Sequence, residues 1–186
     1  MIRAALVALC ALMLVSACTP GDGHCARLPG NSRYCLVAGP WPEYSTEQAS
    51  TVTLNGKTLH MISRIDSGPS GLRFAGLSPL GQTLFQLAWE HSHLRADLPP
   101  ALDGRLDPAL FPALLQIATW PAERVREGLS EGLELIESPG KRIIRSGQDE
   151  VLVISWEGNQ LPYQRLRIAV PEQNLKIDSH LLEPQR

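Results

Sequence analysis

Hydrophobic and polar residues alternate with a period of two along most of the chain after residue 48, which is the period of half-buried strands. Two such runs, Ala49–Leu54 and Lys57–Arg64, flank Asn55-Gly56. Both residues of that pair tolerate the positive φ of a tight hairpin turn. Ser67-Gly68-Pro69-Ser70-Gly71 marks another turn, leading into Leu72–Leu77. Gln82–Glu90 then sets Thr83, Phe85, Leu87 and Trp89 against Gln82, Leu84, Gln86, Ala88 and Glu90. That pattern predicts a strand with one strongly apolar face. His91-Ser92 turns the chain back through His93–Leu98. Connections this short join antiparallel neighbours, so the predicted topology is a meander.

The period changes after Pro99-Pro100. Asp107-Pro108 has the form of a helix cap followed by proline at the first helical position. Leu110, Phe111, Leu114, Leu115 and Ala118 then share one helical face. Pro112 is awkward there, since it lacks a donor, and the helix could instead start at it. Trp120-Pro121 breaks the run and opens a second short helix through Arg126, ended by Gly128. Strand signals resume at Leu133–Glu137, Arg142–Arg145, Val151–Trp156, Tyr163–Val170 and Leu175–Leu182. Val151–Ile154 is apolar on both faces, as in a strand covered on both sides. About ten strands interrupted by one apolar helical segment predict a mainly β (α+β) fold. The expected form is an antiparallel open or half β-barrel, with the helical insertion packed on its concave side.

One turn in this pattern is anomalous. Ser78-Pro79-Leu80-Gly81 joins two strands and has turn chemistry at Pro79 and Gly81. A short polar turn has no folding reason to hold a leucine. Leu80 either folds back onto the sheet or is presented to something outside the protein.

Before residue 33 the chain reads differently. Arg3 is a positive n-region, Ala4–Leu14 an apolar h-region, and Val15-Ser16-Ala17 small residues before Cys18. The apolar run is too short to span a bilayer, which takes about 20 residues. A small-residue run ending in cysteine resembles the lipobox of bacterial lipoproteins. That resemblance implies removal of residues 1–17 as a signal peptide and acylation of Cys18, giving a stable anchor. The other reading is a secretory signal cut near Ala17 that leaves Cys18 a free thiol. Thr19 after the cysteine resembles the pattern of lipoproteins sent to the outer membrane, so the expected location is its periplasmic face. Residues 18–32 hold Pro20, Gly21, Gly23, Pro29, Gly30 and Asn31 without hydrophobic period. They read as a tether ahead of one folded domain, 33–183. Cys25 and Cys35 form a disulfide in an oxidising compartment, stay as two thiols, or join His24 in a poor metal pattern.

The lipobox, the strand–Ser78-Pro79-Leu80-Gly81–strand segment and the helical Leu106–Leu129 with its Trp120-Pro121 together resemble a bacterial lipoprotein family of unassigned function. That family is similar in fold to the periplasmic lipoprotein carriers LolA and LolB. The resemblance spans roughly Arg33–Leu182, and its most specific stretch is Leu77–Leu87. It implies an apolar interior able to take acyl chains, and it gives Leu80 the part of an exposed leucine that delivers cargo to the membrane. Related lipoproteins resemble components encoded beside aryl-polyene or fatty-acid-like lipid synthesis, which implies an envelope synthesis or export complex as partner. The tight Asn55-Gly56 turn and the Cys25/Cys35 pair depart from LolB.

The remaining chemistry is sparse. A formal charge of -2 without a basic, aromatic-studded stripe gives no reason to expect nucleic acid. No nucleophile elbow, zinc-protease helix or phosphate loop occurs, and the Ser67–Gly71 spacing is wrong for the first of these. Neither a catalytic residue nor a cofactor is expected, so the chain reads as a non-enzyme. His91 and His93 could share a strand face toward a metal, but they read better as a solvated hairpin end, and no metal is expected. Candidate cavity-lining residues are Phe85, Leu87, Trp89, Leu114, Leu115, Trp120 and Val153. The expected function is binding, carrying or inserting a lipid or other amphiphile. The alternative is an adaptor lipoprotein with a solidly packed barrel.

Overall fold

The computed structural model describes residues 24–100 and 107–182. The signal peptide, Cys18 and Leu106 lie outside the described residues. Strands β1 (Cys25–Arg27) and β2 (Arg33–Cys35) form a small antiparallel sheet. A ten-stranded antiparallel sheet follows, built from two meanders. The first runs β3 (Tyr44–Leu54), β4 (Lys57–Gly68), β5 (Gly71–Leu77), β6 (Thr83–Glu90) and β7 (His93–Asp97). The second runs β8 (Leu133–Ser138), β9 (Lys141–Ser146), β10 (Asp149–Glu157), β11 (Arg165–Val170) and β12 (Leu175–Leu181). Pairing of β3 with β12 joins them in the order β7-β6-β5-β4-β3-β12-β11-β10-β9-β8. The sheet is not closed into a barrel: β7 and β8 are its two edges. Helices α1 (Leu110–Thr119) and α2 (Ala122–Gly128) carry the chain from one edge to the other.

The sheet curls around α1. Phe111 packs on Phe74 of β5 and Phe85 of β6, with ring centroids 5.2 and 5.4 Å away. From the other side, Arg142 of β9 donates to the carbonyls of Ile117 and Trp120, both at 2.7 Å. In a flat sheet β6 and β9 would stand seven strand spacings apart, about 34 Å, whereas α1 is about 15 Å long. Only a strongly curved sheet brings both to one helix. Pro112 falls in the first turn of α1, where its missing N–H would have had no partner in the helix. The N-cap is Ala109 rather than Asp107, and Pro108 lies ahead of the helix; Asp107 accepts from Ala109 N at 3.0 Å in the turn that leads in.

Two sequence expectations are corrected here. The stretch 24–32 is part of the fold and not tether. Gly30 and Asn31 both take positive φ, Leu28 N donates to Ser32 O at 2.9 Å, and Ala26 and Leu28 are buried. Strands of three residues are too short to show a period, which is why the pattern missed them. Strand β3 also starts five residues earlier than its alternation suggests. Its inward residues Thr46, Gln48 and Ser50 are buried but polar, so the usual apolar signal is absent. Cys25 and Cys35 pair directly across β1 and β2 and are joined by a disulfide.

Candidate functional site

Strand registers place the turns in two groups, one at each end of the large sheet. The β3–β4 turn at Asn55-Gly56 has φ of 49° and 78°, the twisted geometry that long hairpins require. The β5–β6 turn lies beside it. Leu77 pairs with Ile62, so Leu80, three residues on, stands level with Leu59, three residues back. The β11–β12 turn joins the same end, because Leu175 pairs with Leu54. At the other end lie the β4–β5 turn, the β6–β7 turn and His24, whose ring meets Trp89 edge-on at 5.5 Å.

The Leu80 turn is closed by its own hydrogen bonds. Gly81 N donates to Ser78 O at 2.8 Å and Ser78 N to Gln82 O at 2.7 Å. The Ser78 hydroxyl accepts from Leu80 N at 3.3 Å and Gln82 N at 3.1 Å. Gly81 supplies the positive φ, 81°, that ends the turn. With the backbone satisfied in this way, the Leu80 side chain is left 88% exposed. Among the described residues the other exposed large apolar side chains are Leu54, Leu59 and Leu182. Three of these four therefore share one end of the sheet.

Behind that end the inner face is layered. Leu175 and Leu54 pair across β12 and β3, and Ile177, Val52 and Leu59 form the next rank across β12, β3 and β4. Deeper ranks turn polar: Ser179, Ser50 and Met61, then Gln48 beside Ser63. Ser63 Oγ donates to Ser50 Oγ at 2.8 Å, and Ser50 and Ser179 share a hydrogen at 2.8 Å. Over this floor lies the N-terminal half of α1. The space between them is lined mostly by apolar side chains, Phe111, Leu114 and Leu115 on the helix and Met61, Ile65 and Ile177 among those on the sheet, with Gln48, Ser63 and Ser179 as its polar groups. Its volume is about 30 Å³. That holds one or two waters and no acyl chain.

The sequence-derived lining residues divide accordingly. Leu114 and Leu115 line the space. Phe85, Leu87, Trp89 and Trp120 are buried in core packing instead: Phe85 stacks on Phe74, and Trp120 meets Trp41 edge-on at 5.4 Å. Val153 is corrected outright. It sits between Leu152 and Ile154, both fully buried, and points to the outer face with Ser155 and Ala169. The register shift between Glu150 and Leu152 lets Val151 and Leu152 both be buried, which made the run look two-sided. Larger hollows lie on the outer face, such as a groove of about 390 Å³ lined by Arg64, Asp66, Arg73, Glu90, Arg95 and Asp97.

Sequence reasoning missed the polar floor, although a signal for it exists. The Asn55-Gly56 turn fixes register, so an inward Met61 and Ile65 require Ser50 and Thr46 to face inward too. It also missed Gln116 and Arg142, which hold α1 in place. Gln116 is fully buried, donates to Val37 O at 2.8 Å, and accepts from Val37 N and from the Tyr34 hydroxyl. Burial pushes the Tyr34 and Tyr44 phenols above their ordinary pKa. On the outer face, the hydrogen bond from Arg165 holds the Asp178 carboxyl below the usual carboxylate range. Among the described residues no three His, Cys, Asp or Glu side chains converge as metal ligands. None of the described helices is long and apolar enough to cross a membrane.

Comparison with known proteins gives one assignment. No curated protein matches. A solved structure from Bacteroides fragilis, of a protein with a YmcC-like fold, is similar over 80% of this chain and all of its own. Its identity is 12% and its TM-score 0.25, too low a similarity to assign an architecture. A family model described as "Protein of unknown function (DUF3261)" matches residues 45–180. That span takes in both meanders and both helices, and the chain belongs to the DUF3261 family.

Proposed function

We propose that this chain is an envelope lipoprotein, anchored through Cys18 at the periplasmic face of the outer membrane, that binds and passes on a lipid or lipid-like amphiphile. The observation that carries this reading is the Leu80 end. A leucine held 88% exposed on a hydrogen-bonded turn, level with Leu59 and close to Leu54, forms an apolar tip that folding alone does not require. The likeness of the Leu80 turn to the delivery loop of LolB supports the same assignment.

Geometry constrains how such a protein would stand. From Cys18 to His24 the chain reaches about 20 Å at full extension. His24 lies at the Trp89 end of β6, and Leu80 is about 25 Å away along the strand. An upright molecule thus holds Leu80 away from its own anchor, toward a donor or acceptor of cargo.

Leu80→Ser tests the reading. Its expected effect on stability is within about 0.5 kcal/mol, because the side chain touches little. Transfer of a fluorescent monoacylglycerol from the full chain to phosphatidylcholine vesicles should fall about tenfold. A loss of several kcal/mol in urea unfolding would show that Leu80 is core and would remove the basis of the proposal. The nearly filled space under α1 favours a second reading, an adaptor whose packed body docks an envelope synthesis or export complex. Failure of both the native chain and Leu80→Ser to bind the monoacylglycerol is the outcome that selects it.

A further inference from the structure

The interior has a polar floor where its apolar mouth would lead one to expect more leucine. Thr46, Gln48, Ser50, Ser63 and Ser179 are all buried on the concave face of the three central strands. Burying a polar group without a partner is costly, so each of these groups should be hydrogen-bonded. Among the described residues two of them are not. The Thr46 hydroxyl is fully buried without a partner. The Gln48 carboxamide lines the space under α1, is 4% exposed, and has no hydrogen-bond partner among the described residues. The three serines carry three hydroxyl hydrogens but form two bonds with one another. One hydrogen, on Ser50 or Ser179, is therefore left for another group, and Ser179 lines the space.

We propose that this floor is a binding site for the uncharged polar head of an amphiphile, one bearing a hydroxyl, ester or amide group. The inference rests on the amphiphile reading above and names the class of ligand. Chemistry selects the class. No residue lining the space is titratable, so an ionised head would be buried without a counter-charge, which is strongly unfavourable. A carboxamide and hydroxyls can both donate and accept, which suits a head that does the same. The apolar ranks of Leu54, Leu59 and Ile177 would take its chain toward Leu80.

Access is uneven along α1 in a way that fits. Side-chain hydrogen bonds onto the body of the helix gather at its C-terminal half. They come from Gln116, from Arg142 to Ile117 O and Trp120 O, and from Tyr163 to Ala118 O. The half that covers the floor, Leu110 to Leu115, is held by apolar packing and by the turn before it, where Asp107 accepts from Ala109 N and from Arg27 N at 3.1 Å. Displacing that half opens the floor while the C-terminal half stays fixed.

Photolabelling tests the site. The full chain in phosphatidylcholine vesicles is exposed to trace monoacylglycerol carrying a diazirine in its chain, or to a diazirine alkane of equal length. The monoacylglycerol should label Met61, Leu114 or Leu115. Gln48→Leu should cut that labelling at least fivefold and leave the alkane labelling unchanged. The variant removes an unpartnered polar group, so an unchanged or higher melting temperature confirms that it folds. Monoacylglycerol labelling that persists in Gln48→Leu would overturn the head-group site alone. Absence of interior labelling by either probe would overturn the amphiphile reading with it.

Discussion

Replacing Arg142 with methionine is expected to lower the unfolding free energy by about 3–5 kcal/mol, the range for breaking a buried charged group away from its partners. Arg142 is 7% exposed and binds three things at once. Its Nη1 donates to the carbonyls of Ile117 and Trp120 at 2.7 Å, where α1 ends. Its Nε and Nη2 hold Glu137 of β8 at 2.9 and 2.6 Å, and its guanidinium lies over the Trp156 ring. A cation at a helix C-terminus is favoured by the helix dipole, and the planar fork serves both directions simultaneously. Methionine keeps the packed stem and loses every one of these bonds. Glu137 is partly exposed and can return to water; the two helix carbonyls are buried and cannot. Arg142→Lys should recover only part of the loss, since an ammonium cannot reproduce the fork. Urea denaturation measures this directly, and a loss under about 1 kcal/mol would mean that α1 is held by packing alone.

Gln116→Leu is the second large effect, expected at about 3 kcal/mol. The carboxamide acts as a short strand partner for Val37, donating to its carbonyl at 2.8 Å and accepting from its N–H at 3.0 Å. It accepts from the Tyr34 hydroxyl as well, at 3.1 Å. Leucine fills the same volume but leaves unpaired the buried Tyr34 hydroxyl and both backbone groups of the partly buried Val37, and unpaired buried groups cost about 1 kcal/mol or more each. The damage should be local. Amides of residues 25–37 should lose hydrogen-exchange protection before those of β3 and β4, because the disulfide holds β1 to β2 but not to the helix. Uniform loss across the large sheet would contradict this.

Much of the fold is written locally in the sequence. Asn55-Gly56, Pro79 with Gly81, and His91-Ser92 mark the first meander, because turns that need positive φ or a fixed φ restrict residue choice. Trp120-Pro121 marks the break between helices for the same reason. The Leu80 anomaly was legible too, since a large apolar residue in a turn is conspicuous without coordinates. What stayed hidden depends on packing at a distance. Two three-residue strands have no period to detect, and β3 carries Thr46, Gln48 and Ser50 where an apolar face is expected. Whether α1 fills the curved sheet depends on side chains from distant strands such as β5, β6 and β9 meeting it, which alternation cannot report. Phe85, Leu87, Trp89 and Trp120 look like a pocket in sequence because pockets and cores are built from the same residues. Val153 was misplaced by a single register shift, the error to which period-two patterns are most sensitive.

The central claim is that the Leu80 end engages a second membrane and the opposite, anchor-side end does not. It is tested most directly with an environment-sensitive fluorophore on Leu80→Cys, compared with Ser70→Cys in the β4–β5 turn, each in the full chain held in a lipid nanodisc. On addition of excess phosphatidylcholine vesicles, the account predicts a blue shift at position 80 and none at position 70. No shift at 80, or an equal shift at both, would contradict it.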